Sequence, residues 1–145
     1  MEKLKVELVA KNNAEMPTYA TSGSSGMDLR TTSSLRLEPL DRVLAPTGLH
    51  IALPEGYEAQ IRPRSGMAYK KGITLANCVG TIDSDYRGEI KVALVNLSMD
   101  IVEIPKGERI AQLVVAPYTK VDWTMVTYLS DTDRGEGGFG STGTK

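Results

Sequence analysis

Apolar and polar positions alternate with period two along most of this chain. Leu4, Val6 and Leu8 share one side of "LKVEL", and Ile90, Val92 and Leu94 share one side of "GEIKVALVNL". In the second stretch Ala93, Val95 and Leu97 form another apolar set, which predicts a strand buried on both faces. "RVLAPTGLHIALP", "GYEAQIRP", "GITLANCVGTI", "IVEIP", "RIAQLVVAP" and "WTMVTYLS" read the same way: short, β-branched and punctuated by Gly, Pro, Asn or Asp. Strands spaced by roughly ten residues, with no long helical window between them, predict an all-β sandwich or barrel.

One short helix interrupts the pattern. In "RPRSGMAYKKG", Pro63 bars an earlier start, Ser65 is a candidate N-cap, Met67 to Lys71 are helix-compatible and Gly72 is a stop. From about Ser130 the periodicity is lost and glycine accumulates. The expected division is therefore a β domain over 1–130 and a flexible glycine-rich arm over 131–145.

Composition narrows the function classes. At 145 residues the chain is expected to form one domain around one core. A net charge of −1 offers no broad face for nucleic acid, so any phosphate binding must be local. One His and one Cys leave no structural zinc site, and the single Cys78 allows no disulfide within one chain, which fits a cytoplasmic setting. No apolar run is long enough to span a bilayer, and "MEKLKVELVA" has no signal-peptide core.

Five stretches carry chemistry. "RPRSGMA" offers a helix N-terminus with free N–H groups, a serine hydroxyl and the guanidinium of Arg64, which suits an anion; a capped helix with surface arginines reads equally well. In "GTIDSDYRGEI", expected as a tight hairpin, Asp85 serves the turn, whereas Asp83 follows apolar Ile82 and is placed to hold and deprotonate a water. Tyr86 presents a flat face on which a sugar ring would pack. Asp28 in "SSGMDLR" is either the polar end of a turn before a strand or an outer-shell carboxylate near hydrated Mg2+. Gln112 in "ERIAQLV" breaks an apolar strand, so its amide is structural glue or a ligand contact.

The fifth stretch is the tail. "GEGGFGST" has the glycine spacing of a phosphate loop but carries Ser141 where the lysine belongs. Its glycines are able to turn N–H groups toward an anion, with Arg134, Ser141 and Thr142 adding donors, while Phe139, alone among glycines, reads as a stacking lid. The bland alternative is a disordered Gly/Ser tail.

In order, "SSGMDL", "RPRSGMA", "GTIDSDYRGEI", "GERIAQLV" and "RGEGGFGSTG" resemble the five motifs of the homotrimeric dUTP diphosphatases (dUTPases), across essentially the whole chain. The resemblance implies a distorted β-barrel or jelly roll, three active sites at the interfaces of a homotrimer, and conversion of dUTP and water to dUMP and pyrophosphate. It implies that Asp83 activates the water, that Tyr86 packs under deoxyribose, and that Asn77, Gly80, Thr81, Ile82 and Lys91 belong to the hairpin reading uracil. Arg64, Ser65, Gly66 and Gln112 match phosphate contacts, and Asp28 the outer-shell carboxylate near Mg2+. Arg134, Phe139, Gly140, Ser141 and Thr142 match the closing arm. Departures are small: Ser25 stands where many members have alanine, and Cys78 and Val79 lie where the family varies. The dCTP deaminase branch shares the fold but lacks "RPRSG" and the Gly-Phe-Gly arm. A non-catalytic nucleotide-sensing module is disfavoured by the intact Asp83.

Overall fold

The computed structural model describes residues 3–143. Eleven strands and one helix follow one another as β1 (Glu7–Ala10), β2 (Met27–Arg30), β3 (Leu35–Leu37), β4 (Arg42–Pro46), β5 (Leu49–Ala52), β6 (Tyr57–Arg62), α1 (Ser65–Lys71), β7 (Ile73–Leu75), β8 (Gly80–Ile82), β9 (Lys91–Asn96), β10 (Val102–Ile104) and β11 (Arg109–Pro117). All pairings between these strands are antiparallel, in the orders β2-β11-β6-β8, β4-β9-β7, β1-β5 and β10-β3. The fold is thus nearly all-β with one helix, as expected.

Alternation explains the core. Val92, Leu94 and Asn96 point inward from β9, and Leu29, Ile61, Ile73 and Leu113 meet them from other strands in a single buried cluster. Asn96 is tolerated there because its amide donates to the carbonyls of Leu37 and Asp100 and its oxygen accepts from Ser98.

Four segments differ from the sequence pattern. The first strand begins at Glu7, leaving Leu4 exposed, because its partner β5 ends at Ala52 opposite Glu7. The second apolar face of β9 is half-covered at Ala93 and Val95, and Leu97 lies exposed beyond the strand end, since no second layer of this chain covers it. "GTIDSDYRGEI" joins strands of two different sheets: β8 pairs with β6, while β9 lies between β4 and β7. "WTMVTYLS" forms no strand and pairs with none of the described strands, and Trp123, Met125 and Tyr128 are more than four-fifths exposed. The short β3 was not signalled by pattern, three residues being too few for periodicity.

The helix starts one residue earlier than the Ser65 N-cap expected, because Arg64 already has the extended conformation of a cap. Its N-cap is Arg64 in extended conformation, with no side-chain cap bond, and Ser65 is its first residue. Gly72 closes it at φ 67, and a Cβ there would come within 2.8 Å of the Ser98 Cβ, so two constraints select glycine.

Candidate functional site

One polar corner is built by a register shift. Between Arg109 and Ala111 the pairing of β11 with β2 slips by a residue, so Ile110 and Ala111 are both buried. Arg109 and Gln112, three apart, consequently share the outer face, opposite Arg30 and Asp28. Without the slip they would fall on opposite faces. Gln112 also pairs with Arg62 of β6, so Asp28, Gln112 and Arg62 form a polar row across three strands.

Asp28 is the hub of that corner. Its Oδ1 accepts from Arg64 Nε at 2.9 Å and its Oδ2 from Arg109 Nη1 at 3.1 Å, while Arg64 also donates to the Arg109 carbonyl at 3.2 Å. Side chains of Asp28 and Arg64 keep 29% and 26% of their exposure, enough shelter for charge-assisted bonds to hold their geometry. Arg64 is thereby fixed at the entry of α1, beside Ser65 and Gly66, whose N–H groups precede the first helical bond from Ala68 N to Arg64 O. The Gln112 amide nitrogen donates to the Pro63 carbonyl at 3.1 Å, so it does act as glue for the segment leading into α1. Its oxygen lies against Gly26, where a Cβ would come within 2.7 Å. Sequence reasoning missed Arg109 and Gly26, because neither the slip nor the close approach leaves a local signal.

The second half of the site surrounds β8. A turn over Ala76 to Val79 joins β7 to β8; Asn77 is exposed, Cys78 has φ 61, and Gly80 is buried, with a Cβ there reaching 3.2 Å from Ile61 and 3.3 Å from the Asn77 amide nitrogen. Thr81 and Ile82 pair with Gln60 and Ala59. Asp83 then opens a loop tied at every step: Tyr86 N donates to Asp83 O, Arg87 to Ser84 O, and Ile90 N to Leu49 O. The chain's single histidine, His50, places Nδ1 3.0 Å from the Arg87 carbonyl, which accepts its proton. Lys91 begins β9, opposite Pro46 and 3.9 Å from Glu89.

The two halves are not brought together. Ile82 lies opposite Ala59, whereas Arg64 stands five residues further along the same direction, roughly 16 Å for extended chain. Because β8 runs antiparallel to β6, Asp83 continues away from Arg64. Asp83 lines a cleft of about 740 Å³ with Glu58, Arg87 and Tyr118, while Asp28 and Arg109 line another of about 510 Å³ with Arg30 and Lys106.

The arm stands apart again. Arg134 donates to the Gly137 carbonyl at 2.8 Å, Ser141 N to Gly138 O and Gly143 N to Gly140 O, all within three residues. Phe139 is fully exposed at φ 51, and Ser141 and Thr142 are exposed. Thr144 and Lys145, the end of the expected arm, and Met1 and Glu2, the start of the expected domain, lie outside the described residues.

Among the described residues no group of three or more His, Cys, Asp or Glu is placed to hold a metal ion, and no helix is long and apolar enough to cross a membrane. Asp28 keeps lone pairs beyond its two guanidinium bonds, which suits hydrogen bonds from metal-bound water rather than direct ligation.

A family model described as dUTPase matches residues 12–143. The chain is 55% identical over 142 residues to a deoxyuridine 5′-triphosphate nucleotidohydrolase of Finegoldia magna, covering 97% of this chain and 99% of that one. It is 58% identical over 136 residues to one from Hydrogenobaculum sp., covering 93% and 94%. The fold superimposes with a TM-score of 0.88, at 28% identity and over 99% of this chain and 100% of the other, on the G164S mutant of the Staphylococcus bacteriophage 80alpha dUTPase with dUpNHpp.

Proposed function

The chain belongs to the dUTPase family and is a deoxyuridine 5′-triphosphate nucleotidohydrolase, and from that premise we propose how its residues divide the reaction between chains of a homotrimer. The carrying observation is the separation along β6: Asp83 and Arg64 diverge from one another, so a single chain does not close a site around a triphosphate. In this reading Asp83 and the β7–β8 turn come from one protomer, Arg64, Ser65, Gly66 and Gln112 from a neighbour, and the arm, residues 131–145, closes from another. The uncovered apolar stretch through Trp123, Met125 and Leu129 supports association of chains.

Asp83 holds a water and takes its proton as the oxygen attacks the α-phosphorus in line; the bond to the bridging oxygen breaks, giving dUMP and pyrophosphate. Arg64 and Arg134, with the first N–H groups of α1, meet the charge that builds on the phosphates. Asp28 positions Arg64 and would accept hydrogen bonds from the water shell of a bound Mg2+, which would supply charge to neutralise the phosphates. Asn77 and the backbone of Gly80, Thr81 and Ile82, with Lys91 alongside, read the uracil edge, leaving wrong bases with unpaired hydrogen bonds. Tyr86 packs under deoxyribose and excludes a 2′-hydroxyl. Gly140, Ser141 and Thr142 cradle phosphate, and Phe139 stacks on the base. Removal of dUTP keeps uracil from DNA and supplies dUMP for thymidylate; the free Cys78 supports a cytoplasmic setting.

The test is pyrophosphate release from dUTP, UTP, dCTP and dTTP with and without Mg2+, and a sizing measurement alongside. Fast release from dUTP alone, by a trimer, is expected. Comparable turnover of UTP would remove the role of Tyr86, and an active monomer would remove the shared site.

A further inference from the structure

Gly88 has no positive φ to require glycine, and the three atoms nearest to a Cβ built there all belong to one side chain. What occupies the space of its missing side chain is the ring of Tyr86. A Cβ on Gly88 would come within 2.8 Å of Tyr86 Cε2 and closer still to Cζ and the hydroxyl oxygen. The ring reaches back over the glycine so that its hydroxyl donates to the Glu89 carbonyl at 2.9 Å. That acceptor is itself held, since Glu89 Oε1 accepts from Gly48 N at 2.9 Å and the next residue donates from Ile90 N to Leu49 O. Tyr86 is thus a half-exposed ring fixed at its root by the bond from Tyr86 N to Asp83 O and at its tip by Glu89, with Gly88 as the floor between.

We propose that Gly88 is a positioning residue for sugar selection: by carrying no side chain it seats the Tyr86 ring at the height that admits deoxyribose and rejects ribose. The proposal rests on the reading of Tyr86 as the sugar platform. With no positive φ to forbid a methyl group at position 88, relief comes from the far end of the tyrosine, held only by its bond to Glu89. The ring loses its bond to Glu89 and moves, and the shape of the sugar slot changes with it.

The experiment compares kcat/KM on dUTP and UTP for the wild type, Gly88→Ala, Tyr86→Ala and the double variant, with a crystal structure of Gly88→Ala. Expected for Gly88→Ala are an unchanged fold, a displaced Tyr86 ring and a loss of dUTP-over-UTP selectivity of about tenfold or more, since misplacement on this scale is costly. In the double variant the glycine change adds nothing to Tyr86→Ala, because no ring remains to displace; additive losses would overturn the proposal. An unmoved ring and unchanged selectivity in Gly88→Ala, while Tyr86→Ala loses selectivity, overturns the proposal and leaves the role of Tyr86 intact. Unchanged selectivity in Tyr86→Ala overturns both. If Gly88→Ala does not fold, Gly88→Ser in the Tyr86→Ala background, folding normally, assigns the collision to the ring; failure there too overturns the proposal.

Discussion

The corner around Asp28 and the arm around Phe139 both carry groups for an anion, yet they are built in opposite ways. Asp28, Arg64, Arg109 and Gln112 come from separate parts of the chain and are cross-linked by bonds spanning 36 to 81 residues. Arg134 and Ser141 are held by bonds spanning three, and Phe139 beside them is fully exposed. The first arrangement is preorganised by the sheet, so its donors face a ligand at no further ordering cost. The second is held only by bonds within itself, so under the proposed function it would lose freedom on closing over the ligand and gain by shutting off water.

The contrast is sharpened first by Asp83, which belongs to the tied half. Asp83→Asn is expected to lower turnover by roughly 10²–10⁴-fold while dUpNHpp binding persists, as measured by pyrophosphate release and calorimetry. Wild-type turnover would remove the base from the preorganised half altogether. Truncation after Ser130 should cost about 10²-fold in kcat/KM without moving Tm or the sizing profile, because among the described residues the arm makes no hydrogen bond to the barrel. A large drop in Tm would show that the arm is structural after all.

Next in size is Asp28→Ala, which strands two guanidiniums and should destabilise the fold by about 1–3 kcal/mol in urea melts and raise KM. Arg134→Ala should leave the same melt unchanged, and an equal loss from both would erase the comparison. The smallest effect belongs to the segment just after β11, where Lys120 lies. Lys120 is held above its ordinary value of 10.5, first by its hydrogen bond to Glu55 and then by the nearby charges of Tyr118 and Glu55. A raised lysine is a tie fully present below 10.5 and lost as pH rises through the raised value. Glu55→Gln should therefore return the Lys120 titration, followed by NMR at Nζ, toward 10.5 without a measurable change in Tm at neutral pH, since both side chains of the pair are largely exposed.

Much of this was legible in order of residues. Alternation located most strands, and Gly72 marked the helix end at the residue where it occurs. The oddity of Gln112 pointed to a real contact, its bond to the Pro63 carbonyl, which no local pattern supplies. "WTMVTYLS" misled because β propensity describes a surface that fits a partner, and the segment pairs with none of the described strands, leaving Trp123 and Met125 exposed. "GTIDSDYRGEI" misled for a related reason: a turn signal says that the chain bends but not which strand waits beyond the bend.

The sequence by itself determined the β class, the helix and the set of chemical groups, because period, turn chemistry and motif order are local properties of neighbouring residues. Tertiary structure alone decided that a one-residue slip in β11 sets Arg109 and Gln112 on one face with Asp28, that Gly26 and Gly88 are empty to make room for Gln112 and Tyr86, and that Asp83 and Arg64 diverge along β6. Register and close approach depend on which distant segments meet, and no window along the chain contains both partners.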